Sequence, residues 1–403
     1  MVVNNQAIRM LSLTVMFVSG CGLQHIQIQG SLLVWLFVEI VLNRKQMKKI
    51  PHRDVVVMAC LMGAFSILSI IKGVSNYPFV LVAMAIGYIV ALNYRGKGAA
   101  SFYDDMSKLC RYAMYYTFMH IPFLFFTGML SPLEGTFGFT ISIACFILLD
   151  SGGMSFTNGF RLCGLAWEPG IWQMIMNFNL YFALVEKRSA KQIAMAISAI
   201  VLTLSTSGMF TMIVIILYYL SFVLKKIKIG QLAGMAIVGV FFYGIIFQNI
   251  DEKLNGEGAT SSMVRFGDTY VGAMMLSKNP VIGANTELTG YSRSNDVIAL
   301  RQYLWDEAEI KGDNEGFLNA YIVNGFMIFL LDWGLVIGLF LLYRMIKADF
   351  MEPTTVRIGF LLTILLTLFA EPISSTAFFY FFVIYGILGK RTKTQNGIGY
   401  ART

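Results

Sequence analysis

The sequence predicts an all-α polytopic membrane protein: about twelve spanning helices in a single integral membrane domain, residues 1–403, with one large external loop. Three observations predict it: the composition, the spacing of the apolar runs and the one-sided placement of basic residues. Hydrophobic residues make up 57% of the 403 and charged residues only 13%, where soluble globular chains carry about 25% charged residues. Mean hydropathy is +0.66. With 33 Phe and 24 Met, too little polar surface remains to cover a water-soluble domain. The composition thus argues against a soluble enzyme, a disordered regulator and a nucleic-acid-binding domain. The net charge of +8 and pI near 9.1 then belong to cytoplasmic loops rather than to a nucleic-acid surface.

A spanning helix needs about 20 mostly apolar residues. Candidate spans fall near 8–23, 31–43, 55–72, 78–94, 109–131, 170–185, 192–205, 209–224, 229–247, 319–346, 358–370 and 376–389. No small-x-small cleavage site followed by a polar chain comes after the first run, so it reads as a span and not as a cleaved signal. No internal repeat or low-complexity linker is visible. The five cysteines (Cys21, Cys60, Cys110, Cys145 and Cys163) show no CxxC spacing and lie in or beside apolar runs, as buried thiols do.

Lys and Arg concentrate in short cytoplasmic loops, and they test the span count. Arg9 precedes the first run. Clusters begin at Arg44, Arg95, Lys187, Lys225, Arg344 and Lys390, after the second, fourth, sixth, eighth, tenth and twelfth runs. In all, 23 of the 31 basic residues fall on one side, which puts both termini in the cytoplasm. The apolar stretch 137–149 breaks the alternation if it spans, so it is expected to be interfacial or re-entrant. Two long segments, 132–169 and 248–318, then lie outside. The second holds 11 of the 23 acidic residues and six basic ones.

Three external stretches carry chemistry-bearing residues. Arg161-Leu-Cys-Gly164-Leu-Ala-Trp-Glu168-Pro169-Gly170 leads into the sixth span, with Pro169 as a helix-start signal. Glu168 suits the positive end of that helix as a cap paired with Arg161; equally, an arginine and an acid at the membrane edge suit a lipid-linked phosphate, whose oxygens match the guanidinium fork. Leu204-Ser205-Thr206-Ser207-Gly208 joins the seventh and eighth spans, and reads as a tight turn or a substrate contact. Residues 264–283 read as a short amphipathic helix opening at Arg265 and stopped by Pro280-Val-Ile-Gly283; a helix lying in the interface has the same pattern. Downstream, Asp313, Asn314 and Glu315 precede the tenth span as a polar cap or a substrate-facing group.

The order and spacing of these stretches resemble the Wzy-type polymerases of O-antigen and capsular repeat units. The quoted motifs are Arg161-x-x-Gly164 with Glu168-Pro169, Leu-Ser-Thr-Ser-Gly, the Arg265 helix ending in Asn-Pro-Val-Ile-Gly, and Trp333-Gly334-Leu-Val-Ile-Gly338. They span roughly residues 155–345. The related O-antigen ligases commonly have an arginine in the Ser-rich junction and a His-Asn pair before the late helix. Here Thr206 stands at the junction, and the three histidines, His25, His52 and His120, lie elsewhere. The departure favours polymerase.

The resemblance implies a GT-C-like glycosyltransferase of the bacterial inner membrane. It would act on undecaprenyl-diphosphate-linked glycans at the outer face, by inverting displacement with diphosphate leaving. A chain-length regulator is an implied partner. Such a reaction needs charge stabilisation on the leaving group and a base for the acceptor hydroxyl. The external segments hold no Asp-x-Asp pair, so cations rather than a metal are expected to supply the first, and no cofactor is expected. Arg161 and Arg265 are the first choices, Arg293 and Arg301 the second. Glu168 is the first choice of base, with Glu315 and Asp313 behind it. Ser205, Ser207 and Asn314 are further candidate substrate contacts.

Among charges inside spans, Glu39 is expected to reach water at an inner helix end, Lys72 to lie at an outer end, and Asp332 and Glu371 to line a cavity or serve internal hydrogen bonds. A flippase or other secondary carrier also fits twelve spans, although such carriers often show two related halves, and none is visible here.

Overall fold

The computed structural model describes residues 5–19, 31–48, 50–74, 77–95, 99–119, 121, 133–134, 139–141, 147–150, 160–166, 169–224, 259–285, 299, 302–303 and 324–389. Among them are thirteen α-helices: α1 Asn5–Val18, α2 Ser31–Met47, α3 His52–Lys72, α4 Tyr77–Arg95, α5 Ala99–Met119, α6 Pro169–Val185, α7 Ala190–Val201, α8 Thr206–Tyr218, α9 Ala259–Lys278, α10 Gly325–Trp333, α11 Leu335–Lys347, α12 Thr354–Ala370 and α13 Ala377–Leu388. A π-helical turn, Tyr219–Val223, extends α8.

The chain folds as helices because its apolar segments leave backbone groups nothing but each other to bond with. Three of the helical segments, His52–Lys72, Tyr77–Arg95 and Thr206–Val223, are long and apolar enough to cross a bilayer. Large apolar side chains point outward: Phe37 is 65% exposed and Ile70 63%. In water such a surface is an aggregation liability; against lipid it is the expected exterior, and the helical fold is compatible with a membrane protein.

Contacts order the helices into a bundle with two distinct ends. Ala377 and Tyr380 approach Gly87, and Arg95 reaches Gly389, so α4 and α13 run side by side in the same direction. Gly170 faces Glu371 and Gly359 faces Tyr181, so α6 and α12 run antiparallel. Arg9, Arg95, Arg188, Arg344 and Arg357 gather at one end, here the basic end. The core between the helices is aromatic: Phe178 stacks on Phe360 at 4.2 Å and Phe102 on Phe381 at 5.1 Å between ring centroids. Such pairs add to what burial alone contributes.

The basic residues do more than orient the chain. Arg95 bonds Asp54 and also donates to the carbonyls of Gly389 (2.7 Å) and Leu388 (2.9 Å). Arg344 donates to the carbonyls of Gly386 and Ile387. Both arginines therefore satisfy the unpaired carbonyls and the negative dipole at the end of α13. Arg9 pairs with the buried Asp105 at 2.8 Å. Glu39 departs from expectation: it is fully buried, and its carboxylate accepts from Ser12 Oγ at 2.6 Å and Asn43 Nδ2 at 2.7 Å. Those donors take the place of water.

Other departures have local reasons. The expected span 319–346 breaks at Gly334, whose φ of +73° suits glycine, into α10 and α11. α5 starts ten residues before the apolar run at 109, because its polar first half is paired: Asp105 with Arg9, Ser107 with Glu186 and Arg188. The described parts of 132–169 form a small antiparallel meander: β1 Leu133–Glu134, β2 Phe139–Ile141, β3 Ile147–Asp150 and β4 Phe160–Gly164. The apolar stretch 137–149 thus contains β2 and β3, each far shorter than the roughly 9–11 residues a spanning strand needs. Cys110 is buried, but Cys60 is exposed on the outward side of α3. The candidate span 229–247 lies outside the described residues.

Two outcomes test this anchoring. Arg95→Ala strands a buried Asp54 and should lower stability by about 3–5 kcal/mol, whereas Arg357→Ala, whose partner Asp349 is half exposed, should cost under about 1 kcal/mol; thermal unfolding in detergent distinguishes them. Glu186 sits between α6 and α7. Burial opposes its ionisation, but hydrogen bonds from Arg188 and Ser107 and the charges of Arg188 and Arg111 outweigh it and hold the carboxyl below its ordinary value of 4.5. A carboxyl depressed on folding stabilises above its unfolded pKa and loses that contribution as pH falls through the folded one. The loss of stability below about pH 4.5 should therefore be shallower in Glu186→Gln than in wild type.

Candidate functional site

At the end of the bundle opposite the basic one, several helix junctions meet. Glu371-Pro372 ends α12 before a short 3₁₀ turn, Ile373–Ser375, and α13. Proline cannot continue the helical ladder and disfavours helical backbone before it, so Glu371 is extended, at φ −138°. Its side chain is 1% exposed and lies on the first turn of α6: Oε1 is 1.8 Å from where a Cβ on Gly170 would stand. Only a glycine admits the carboxylate there. The first turn of a helix offers unpaired N–H groups and the positive end of the dipole, so it is a natural seat for that charge.

Gly325, the first residue of α10, abuts the same break; a Cβ there would stand 2.4 Å from the Glu371 carbonyl oxygen. Asn324 caps α10 by accepting from Met327 N at 3.1 Å. It also donates to Thr269 Oγ1 of α9 at 3.0 Å, and Gly272 lets α9 lie against Met327. α9 is thereby docked onto α10. Arg265 stands one turn before Thr269 on α9.

The Ser-rich junction joins from the other side. Ser205 caps α8, its Oγ accepting from Gly208 N at 3.2 Å and lying 2.9 Å from Ser207 Oγ. Its hydroxyl is committed to the cap, which is the turn role the residues allow. Leu204 holds a positive φ of 49°, costly for a branched side chain. Gly208 packs on Gln173, and Asn177 Nδ2 donates to Gly208 O at 3.1 Å and Gln173 Oε1 at 2.6 Å. Gln173 Nε2 donates to Gly170 O at 2.8 Å. Asn177 Oδ1, Thr367 Oγ1 and Ser374 Oγ are buried without a partner among the described residues, which marks polar room that buried groups normally fill.

β4, which carries Arg161, is pinned to the same turn. Arg161 pairs with Leu149 across the sheet. Gly164, at φ +57°, meets the face of the Trp172 indole, and Trp172 Nε1 donates to Thr117 Oγ1 at 2.9 Å. Beside this contact runs an apolar groove of about 50 Å³ lined by Phe17, Leu165, Ile171, Trp172 and Phe378 among others.

The elements bearing Arg161, Arg265, Ser205 and Ser207 are therefore brought together, directly or through α10. Glu168, Arg293, Arg301, Asp313, Asn314 and Glu315 lie outside the described residues. Sequence reading expected Glu371 to line the substrate cavity or serve structural hydrogen bonding, and passed over Gln173, Asn177 and Asn324. The signal for the first two was present: amides four residues apart inside an apolar span, where polar groups are expensive.

Gly170→Ala forces a methyl into the Glu371 carboxylate and should lower thermal stability by about 1–3 kcal/mol. In a Glu371→Ala background the space is empty, so the same substitution should cost much less; additive losses would show that the contact does not exist. No protein-family model, no characterised protein and no solved structure matches this chain.

Proposed function

We propose that the chain is a lipid-linked repeat-unit polymerase, a Wzy-type glycosyltransferase, of the bacterial inner membrane, with about twelve spans, both termini cytoplasmic and the site just described at the outer face. The observation that carries the reading is the apolar groove bordering the charged motif. Leu165 and Ala166, which line the groove, sit between Arg161 and Glu168, and Ile171 and Trp172 follow at once. An arginine-bearing motif joined to an apolar slot at a helix-bundle end suits a ligand with an anionic head on a lipid tail. The polyprenyl chain would lie beside the groove, along the exposed apolar helix faces.

In this reading a glycan on one undecaprenyl diphosphate is the donor, and a hydroxyl at the free end of a second lipid-linked unit is the acceptor. The hydroxyl oxygen attacks the anomeric carbon as the carbon–oxygen bond to diphosphate breaks, with inversion. Glu168 takes the hydroxyl proton. Arg161 and Arg265 hold the charge that develops on the diphosphate, as preorganised cations do in a site with little water. Glu371 is a positioning residue: it packs on the first turn of α6, the helix into which the segment bearing Arg161 and Glu168 leads. Asp313, Asn314, Glu315, Arg293 and Arg301 serve the acceptor glycan. A chain-length regulator is the expected protein partner.

The test is the surface glycan of cells carrying variants at matched protein levels. Arg161→Ala, Arg265→Ala and Glu168→Gln should each abolish long chains and leave single repeat units attached. Glu371→Gln should reduce kcat more than it weakens donor binding. Full-length chains with Arg161→Ala and Arg265→Ala combined would overturn the reading. A complete failure to attach glycan would indicate a ligase instead, and absence of lipid-linked units at the outer face a flippase.

A further inference from the structure

A second polar site lies at the same end of the bundle, across α10 from Glu371. A cavity of about 320 Å³ opens between the end of α3 and the loop after α9, lined by Ile71, Lys72, Lys278, Asn279, Ile282 and Asn285 among others. Lys72 and Lys278 are both cations at an end where the positive-inside pattern leaves few. Lysines at a membrane surface commonly extend their ammonium into water. Lys72 does not: its Nζ donates to the carbonyls of Leu331, at 3.0 Å, and Asp332. Those are last-turn carbonyls of α10. An ammonium has three donors, so among the described residues one is left over, in the cavity wall. Asp332 offsets one of the two charges, and the site keeps a net positive charge.

The surroundings of the cavity are apolar and outward-facing. Ile67, Ile70 and Ile71 on α3 are each at least 60% exposed, and Val281 on the loop is 68% exposed. One fixed ammonium and a second, exposed one beside a strip of exposed isoleucines fit a phosphate joined to hydrocarbon, not a soluble anion. The loop itself is built for close approach: Gly283 and Gly334 let 281–284 lie against 331–334, with Ala284 N donating to Leu331 O at 3.1 Å and Leu335 N to Pro280 O at 2.7 Å.

We propose that this cavity holds the phosphate end of a membrane lipid, and that this lipid is the acceptor substrate. The second half of the proposal rests on the polymerase reading. Polymerisation brings the far end of the acceptor glycan to the donor's anomeric carbon, so the acceptor's own diphosphate sits away from the reaction centre by the length of a repeat unit. α10 provides such a separation: its first residue touches Glu371, its last turn holds Lys72, and nine residues at about 1.5 Å each span roughly 12 Å.

Native mass spectrometry of the purified full chain with undecaprenyl diphosphate counts the occupied sites. Wild type should bind two molecules. Lys278→Gln, whose exposed side chain carries no packing role, should bind one, with affinity at the lost site reduced about tenfold, as removal of one charge-assisted contact implies; Lys278→Arg should restore it. Lys72→Gln should do the same. Unchanged count and affinity in both lysine variants overturns the proposal. So does equal competition by inorganic diphosphate, which would make this a soluble-anion site. If the polymerase reading alone fails, wild type binds one molecule and Lys278→Gln none.

Discussion

The far end of the bundle is organised by one contact, the Glu371 carboxylate on the first turn of α6. Proline at 372 stops α12 and turns the preceding residue out of the helix, so a carboxylate is left where the apolar helices end. A buried charge needs partners, and the nearest source of N–H donors is a helix start. Gly170 removes the side chain that would block it, and Gly325 lets the start of α10 reach the same break. Three junctions from distant parts of the chain are thus held together by a charge that has to be satisfied and two residues too small to prevent it.

The seam beneath this contact continues the same logic. By the antiparallel register, Gly170 to Glu371 and Tyr181 to Gly359, residues between them on α6 and α12 face each other. Gln173 and Asn177 on α6, Thr363 and Thr367 on α12 and Thr211 on α8 are all buried. Asn177 reaches across to α8 through the Gly208 carbonyl, so the seam ties α6 to α8, and another pairing of those faces would lose that bond. At the basic end the same work is done by charge, with arginines closing the carbonyl end of α13. One end is locked by cations on helix C-termini, which use the dipole in its favourable sense; at the other a buried carboxyl packs on the first turn of α6.

Much of this was legible in the sequence. Apolar runs located most described helices to within a few residues, because a bilayer-length helix has a single strong signature. The positions of Arg44, Arg95, Lys187 and Arg344 gave the alternation of ends, because basic residues and helix C-termini coincide there. Three things were not legible. The break at Gly334 looks like a continuous apolar run, since a glycine inside such a run does not declare whether it kinks. The meander 133–164 hides in an apolar stretch whose period does not separate strand from helix. Glu39 reads as a charge near water because only the fold brings Ser12 and Asn43 to it. For the candidate site, Arg161, Arg265 and the Ser205–Gly208 junction were singled out by motif, but what brings their elements together, Gly170, Gly325 and Asn324, is visible only when distant segments meet.

α10 is the element through which these separate features act on one another. It is short, and both its ends are fixed: the N-terminus by Asn324 and the Glu371 break, the C-terminus by Lys72 and the loop after α9. Gly334 turns the chain between α10 and α11, but α10 is also packed along its length, with Phe329 against Phe379 and Trp333 Nε1 donating to the Tyr380 hydroxyl at 3.3 Å. The element that holds Lys72 is therefore the one that abuts the Glu371 break, and Glu371 packs in turn on the first turn of α6. The break at Gly334 permits both attachments: α10 meets α9 and the Glu371 break while α11 packs along α13.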